Sequence, residues 1–287
     1  MLDLKSLERP KSPEEAVRTF AKAEGTGLYV AGGTIVVPSA SSKLDYLVDL
    51  SDAGLEYQRT EESPSGGHLA IGAMTTIADL ARSPAAGELA GGVLRTAARA
   101  VANHTIRNLA TVGGNLLSWH YPSDLPPALL ALDASVVLRG VEGEREIGLE
   151  DFYRSGRDVF RKGDLLVEVR VPNGASRLSG AFEKIGRKRL DVAVVSCAAA
   201  LLVADGVIRE ARVALNGGVS APVRLREAER FVVGKLVDKA DFLQAARLAT
   251  DALEMRSDHR ASAAYRKKIA AVIVRRALVR AAGRTQE

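Results

Sequence analysis

The sequence predicts an α+β protein with two domains, and three features support this prediction. The chain has 287 residues, a length at which one hydrophobic core usually divides into two. Short apolar runs alternate with helical patterns as far as about residue 172. Beyond a polar stretch at residues 172–176, two longer apolar runs meet at Asp205-Gly206, where both residues tolerate the positive φ of a hairpin turn. We therefore expect a mixed domain over residues 1–173 and a smaller domain with an antiparallel sheet over residues 177–287.

The first domain is predicted to begin with a helix and then alternate. Ser12, Pro13 and Glu15 form the cap, first-turn proline and capping box of a helix that ends near Gly25. Thr76 with Asp79 caps a short helix, and Ser123 precedes a further helix start. The other predicted elements are strands at 28–30, 46–50, 68–72, 135–138 and 165–171, and an alanine-rich helix at 88–102.

The second domain is predicted to combine a hairpin with helices. Its strands are expected at residues 193–204 and 207–215, and its helices at 238–256 and 261–282. The last helix carries Ile269, Val272, Ile273 and Ala277 at helical spacing, which indicates one buried face. Its opposite face is rich in Arg and Lys, and it is either solvated or docks on an acidic partner.

Composition excludes several classes of protein. Hydrophobic residues make up 47% and charged residues 26% of the chain, and the net charge is +5; this balance is that of a globular domain and not of a disordered one. No apolar run approaches the length of a membrane span, and no secretory signal is evident. Cys197 is the single cysteine, so neither a disulfide nor a cysteine cluster forms within the chain, and a cytoplasmic location is expected. No spacing indicates a metal site or a nucleic-acid-binding motif.

Two glycine-rich turns are the main candidates for a binding site. The first is Gly32-Gly33 after a strand, and the second is Gly113-Gly114 after the alanine-rich helix. Adjacent glycines allow successive amides to converge on one anion, and a diphosphate is an anion of suitable size. Each turn alone is more readily explained by an ordinary tight turn, and only the pair together makes a ligand contact an equal explanation. Asp124 follows the second turn and is a candidate acceptor for sugar or ribityl hydroxyls.

Longer segments around these turns carry a family resemblance. They read YVAGGTIVVP from Tyr29, IGAMTTIADLARSP from Ile71, TIRNLATVGGNLL from Thr105, SDLPPALLALDA from Ser123 and FEKIGRKRLDVAVVSCAA from Phe182. A last segment, RSDHRASAAYRKKIAAVIVRRAL, starts at Arg256. In this order, over nearly the whole chain, the sequence resembles the FAD-binding medium subunit of molybdenum hydroxylases, the family of xanthine dehydrogenase and carbon monoxide dehydrogenase flavoproteins.

The resemblance implies a two-lobed FAD-binding domain of the vanillyl-alcohol-oxidase type, divided near residues 55–60, followed by a small C-terminal α+β domain. By position it assigns FAD contacts to two turns and four further residues. The first turn comprises Leu28, Tyr29, Val30, Ala31, Gly32, Gly33, Thr34 and Ile35, and the second Thr111, Val112, Gly113, Gly114 and Asn115. The further residues are Val101, Asp124, Leu166 and Lys184.

The resemblance also implies a role in electron transfer within a complex. The chain would take electrons from [2Fe–2S] clusters of a small subunit and pass them to NAD or another acceptor, while a large molybdenum–pterin subunit oxidises the substrate. Two copies of such a three-subunit unit form the expected assembly, and no residue of this chain is expected to be catalytic. Two alternatives remain: a flavin-free assembly subunit with the same fold, and a stand-alone flavin oxidase.

Some residues depart from the family pattern or have an open role. Ile35 stands where many relatives have Asp, and Val192 stands where some have an aromatic residue over the flavin. Trp119 and His120 lie beside the second turn, where they either contact flavin or a partner or simply pack. Arg107 is a candidate charge for an incoming cluster.

Overall fold

The computed structural model describes residues 4–39, 44–62, 66–119 and 122–283. The described chain contains three sheets. It contains no helix that is both long and apolar enough to cross a membrane.

A small parallel sheet forms the first lobe. Its strands β1 (Ser6–Glu8), β2 (Gly27–Val30) and β3 (Tyr46–Asp49) lie in the order β1-β3-β2. The helix α1 (Pro13–Lys22) connects the first two strands, as parallel pairing requires. Ser12 caps α1 as predicted, since its Oγ accepts from the Glu15 amide at 3.1 Å. A short helix α2 (Val36–Ser39) follows the first glycine turn.

An antiparallel five-stranded sheet supports the second lobe. Its order is β4-β5-β8-β6-β7, and the strands are β4 (Gln58–Glu61), β5 (His68–Gly72), β6 (Ser135–Gly140), β7 (Gly143–Gly148) and β8 (Leu165–Pro172). The pairing of β6 with β8 shifts between Val137 and Leu138, so that Val167 is an extra residue in β8. Such a bulge changes which face each side chain takes. Leu166 consequently packs in the main core of this lobe, whereas Val167 packs in the core of the first lobe.

In the described part of the chain, seven α-helices lie between β5 and β8 in sequence. They are α3 (Ile77–Arg82), α4 (Pro84–Glu88), α5 (Val93–Ala100), α6 (His104–Leu109), α7 (Val112–Leu116), α8 (Leu125–Ala131) and α9 (Leu149–Ser155). The single helix predicted at 88–102 is wrong in its extent. Ala90, Gly91 and Gly92 have φ of 44°, 61° and 81°, and this left-handed stretch lies between α4 and α5. Glycines are poor helix formers and good hosts for positive φ.

The C-terminal part is a four-stranded antiparallel sheet with three helices on one face. Strands β9 (Ser179–Ile185), β10 (Val195–Ala204), β11 (Val207–Asn216) and β12 (Val223–Arg224) lie in the order β12-β11-β10-β9. The predicted hairpin is confirmed, because Asp205 and Gly206 have φ of 54° and 71° between β10 and β11. The helices are α10 (Arg226–Val232), α11 (Phe242–Asp251) and α12 (Ala263–Ala281), so the helix predicted at 238–256 is shorter than expected.

The other face of this sheet packs on the second lobe. Phe182, Ala198, Ala200 and Ala214 belong to the same buried cluster as α5 and α8. Alanines at these positions allow the sheet and helix to approach closely. This packing places β9, with Lys184, next to the beginning of α8.

Candidate functional site

A cleft runs between the first lobe, the helices α6–α8 and the C-terminal sheet. Two connected cavities of about 200 and 250 Å³ form it. They share Thr34, Ile35, Ala110 and Asn115, so both glycine turns line one continuous space. The first cavity extends past Tyr29, Phe160 and Leu166.

Most of the residues assigned by position meet in this cleft. Fourteen of the seventeen line it: Tyr29, Ala31, Gly32, Gly33, Thr34, Ile35, Val101, Thr111, Gly113, Gly114, Asn115, Asp124, Leu166 and Lys184. Three do not. The side chain of Leu28 is exposed in β2, Val30 packs with Leu44 and Leu47, and Val112 is fully buried in the main core.

The first glycine turn lies directly against the segment that precedes the second. A Cβ atom on Gly32 would lie 1.6 Å from the Leu109 carbonyl oxygen, so only glycine permits this approach. Gly33 has a φ of +66°, which glycine adopts without strain. Among the described residues, none accepts a hydrogen bond from the backbone amides of residues 31–35. These residues line the cleft, and a run of unpaired amides there suits a phosphate group.

The second glycine turn differs from the sequence prediction, because its backbone amides are not free to bind an anion. It forms the start of α7, where Thr111 Oγ1 accepts from the Gly114 amide at 3.1 Å. The Val112 and Gly113 amides donate to the Thr75 and Ala73 carbonyls, each at 2.9 Å. The amides are therefore taken by the protein itself. Glycine at 113 is explained by Ala73, because a Cβ would lie 3.0 Å from it; Gly114, by contrast, is exposed at the cleft.

Asp124 and Lys184 form a buried ion pair at the wall of the cleft. Lys184 Nζ donates to Asp124 Oδ2 at 2.6 Å and to the Ala100 carbonyl at 2.9 Å. Asp124 occupies the N-cap position of α8 without capping it. Its second oxygen, Oδ1, is buried and has no hydrogen-bond partner among the described residues. Burial raises the pKa of Asp124 to about 6, although Lys184 opposes this shift.

An unpaired buried carboxylate oxygen is costly unless something binds it. A hydroxyl donor in the cleft would satisfy Asp124 Oδ1, as the polyol chain of a flavin can. Together with the open amides of residues 31–35, this shows that the residues present fit the diphosphate and the polyol of FAD. Lys184 lines the cleft, and both groups that it contacts there belong to the protein.

The segment between α5 and α6 holds Val101 at the cleft through Arg107. Arg107 Nη1 lies 2.8 Å from the carbonyl oxygens of both Val101 and Ala102. Ala102 has a φ of 39°, which is strained for alanine, and the arginine stabilises this turn. Arg107 therefore has a structural role, and its predicted contact with a partner stays a prediction.

The aromatic residues near the cleft fix its walls. Tyr29 stacks on Phe20 with ring centroids 4.4 Å apart, and its hydroxyl donates to the Gly163 carbonyl at 2.8 Å. Trp119 stacks on Phe152 at 5.4 Å and therefore packs in the lobe. His120, which was singled out with it, lies outside the described residues.

Sequence reasoning missed several lining residues. They are Leu50, Ala73, Met74, Leu117, Ser118 and Phe160 in one cavity, and Ile106 and Leu190 in the other. They are ordinary apolar or small residues far apart in the chain, and no local pattern marks them. Cys197 is fully buried in β10, and burial raises the pKa of its thiol. In the part of the chain that is described, no group of three or more His, Cys, Asp and Glu side chains is placed to hold a metal ion.

Comparisons with known proteins agree over the full chain. Residues 3–174 match the model of the FAD binding domain in molybdopterin dehydrogenase, and residues 180–281 match that of the CO dehydrogenase flavoprotein C-terminal domain. The carbon monoxide dehydrogenase medium chain of Afipia carboxidovorans is 32% identical over 97% of this chain and 96% of its own length.

Two further matches cover almost the whole of this chain and almost the whole of the matched protein. The 6-hydroxypseudooxynicotine dehydrogenase complex subunit alpha of Paenarthrobacter nicotinovorans is 31% identical over 96% of this chain and 93% of its own length. A solved structure of Cu,Mo-CO dehydrogenase superposes with a TM-score of 0.90 at 31% identity, covering 99% of this chain and 100% of that one.

Proposed function

Because this chain belongs to the FAD-binding medium subunits of molybdenum hydroxylases, we propose that it relays electrons within such a complex. It takes them from [2Fe–2S] clusters on a small subunit and passes them to an external acceptor. A bound flavin supplies this chemistry, because it exchanges electrons singly or in pairs. The observation that carries the proposal is the buried, unpartnered Asp124 Oδ1 in a cleft whose first turn presents open amides.

The chain's own residues divide the binding task along the cleft. The amides of residues 31–35 bind the diphosphate, and Gly114 leaves room for it on the opposite wall. Asp124 Oδ1 accepts from a hydroxyl of the polyol, while Lys184 keeps the carboxylate ionised and in place. Val101 and Leu166 are proposed to contact the ring systems. Ile35 lines both cavities, so its apolar side chain replaces an oxygen contact with packing.

The proposed partner subunits supply the iron–sulfur cluster ligands that this chain lacks. Iron–sulfur clusters require several cysteine thiolates, and the chain has one cysteine, which is fully buried. The clusters are therefore proposed on a small subunit and the molybdenum–pterin centre on a large one. NAD is one candidate acceptor. The division into domains at residues 173 and 177 and the cytoplasmic location stay predictions.

The proposal is tested on the purified chain and on the assembled complex. The chain is expected to be yellow and to release FAD on denaturation. In the complex, substrate is expected to bleach the flavin absorbance, and the same complex carrying a flavin-depleted Gly114→Val chain should still reduce its clusters. A colourless chain that takes up no added FAD would instead indicate the assembly subunit. Substrate oxidation by the chain alone would indicate a stand-alone oxidase.

A further inference from the structure

A third cavity, of about 280 Å³, lies between the lobes and the C-terminal part. Its walls include the β11–β12 loop at residues 217–222 and the α11–α12 loop at residues 256–260. It shares Asn115, Ser118 and Ser123 with the flavin cleft. The volume is several times the roughly 30 Å³ that one water occupies, so a small molecule fits.

Positive charge dominates the lining of this cavity. Arg256, Arg260 and Arg266 line it, against Asp258 as the one carboxylate among the described lining residues. Asp258 Oδ1 accepts from Arg266 Nη2 at 2.5 Å, and Oδ2 accepts from Arg260 Nη1 at 3.0 Å. Although burial acts in the opposite direction, the backbone amides of residues 260 and 261 and the Arg266 guanidinium hold the pKa of Asp258 well below its usual range. The carboxylate is therefore satisfied, and an excess of positive charge remains.

Several hydrogen-bond donors around the cavity have no acceptor among the residues that the structure describes. Arg266 is 1% exposed, and although its Nη1 donates to the Val194 carbonyl at 2.6 Å, its Nε has no partner. The amides of residues 218–221 have no acceptor, and the guanidinium of Arg256 forms no ion pair. A buried unpaired guanidinium donor is unfavourable, which points to a ligand that accepts hydrogen bonds.

We propose that this cavity is an oxyanion site that binds the phosphate group of a small phosphorylated molecule. Phosphate accepts hydrogen bonds from several directions at once, and arginine and backbone amides are its usual partners. Arg256 supplies the unpaired charge, Arg266 the buried donor, and the 218–221 loop the amides. The site is separate from the diphosphate cradle at residues 31–35, because none of those residues lines it.

Calorimetric titration of the FAD-loaded chain with inorganic pyrophosphate at constant ionic strength tests the proposal. Flavin fills its own cleft in this protein, so the heat reports the second cavity. Arg256→Gln is expected to weaken pyrophosphate binding at least about tenfold, because it removes the unpaired charge. The side chain of Arg256 is exposed, so this variant should still fold. Arg247→Gln in α11 removes the same charge from an exposed position away from the cavity, and its affinity should stay within about twofold of the parent.

Arg266→Lys keeps the charge and removes the Nε donor, so it too should weaken binding if it folds. NADH is the second probe: displacement of NADH by pyrophosphate supports a dinucleotide phosphate, and pyrophosphate binding alone supports a smaller phosphorylated ligand. The proposal is overturned if pyrophosphate does not bind, or if Arg256→Gln and Arg247→Gln behave alike. If the purified chain carries no flavin, its absorbance spectrum shows this independently of the heat of pyrophosphate binding.

Discussion

Gly32→Ala tests whether the contact between the two turns shapes the flavin cradle. The added Cβ would lie 1.6 Å from the Leu109 carbonyl oxygen, so the turns must separate by roughly 1.4 Å before this distance reaches 3.0 Å. Gly32 does not have a positive φ, so alanine brings no backbone strain of its own. The effect therefore measures the contact alone.

Gly32→Ala is expected to lower both the stability of the fold and the affinity for FAD. Forcing a methyl group into a packed contact costs about 1–3 kcal/mol of folding free energy. The same shift moves the amides of residues 31–35 relative to the opposite wall of the cleft. Because one hydrogen bond to a charged group contributes about 1.5–3 kcal/mol, losing one weakens FAD binding by at least about tenfold.

Urea unfolding of the flavin-free protein measures the first contribution, and quenching of flavin fluorescence during titration measures the second. Gly148→Ala is the matched control, because its Cβ would meet nothing within 4 Å and its φ of −56° suits alanine. Its stability should stay within about 0.5 kcal/mol of the parent. If Gly32→Ala matches this control in both assays, the described approach of the two turns is wrong.

Three further predictions concern the walls of the cleft and the second cavity. Gly114→Val places a branched side chain beside Thr111 Oγ1, which a Cβ already approaches to 3.0 Å; purified protein should keep its circular dichroism and lose its FAD absorbance, and retained flavin would contradict this. Asp124→Asn keeps the shape but weakens the acceptor for a flavin hydroxyl, so titration should show FAD binding weaker by about 1–3 kcal/mol; an unchanged Kd would limit Asp124 to holding Lys184. Two backbone amides and Arg266 lower the pKa of Asp258 in the folded protein. Ionised Asp258 therefore stabilises the fold at pH values above its unfolded pKa of about 3.9, and this contribution is lost as the pH falls below that value. Unfolding followed between pH 6 and pH 3 should therefore show a smaller acid-induced loss of stability in Asp258→Asn than in the parent, and equal losses would refute the assignment.

Features that depend on neighbouring residues could be predicted from the sequence. The cap at Ser12, the cap at Thr76 and the hairpin at Asp205-Gly206 are all present, because each requires only a few consecutive residues of suitable type. Element lengths were less predictable. The alanine-rich segment has high helix propensity, yet Gly91 and Gly92 adopt positive φ and break it, since the turn is fixed by packing against Gly180.

The family resemblance placed most cleft residues in the right region, but the roles of individual groups were not evident. The second glycine turn has the same sequence character as the first, yet its amides bond to Ala73 and Thr75, which belong to a separate segment some 40 residues earlier. No pattern in the turn itself indicates those acceptors. The first turn, by contrast, keeps its amides open among the described residues.

The sequence by itself determined the family, the elements with strong local signals and the two glycine turns, because these follow from local residue types and their order along the chain. Only the tertiary structure decided that Lys184 pairs with Asp124 across 60 positions and that Arg256 and Arg266 share a cavity. Pairing of charges depends on distance in space and on burial. Both are set by how the C-terminal sheet packs on α8, and no stretch of the chain carries that information alone.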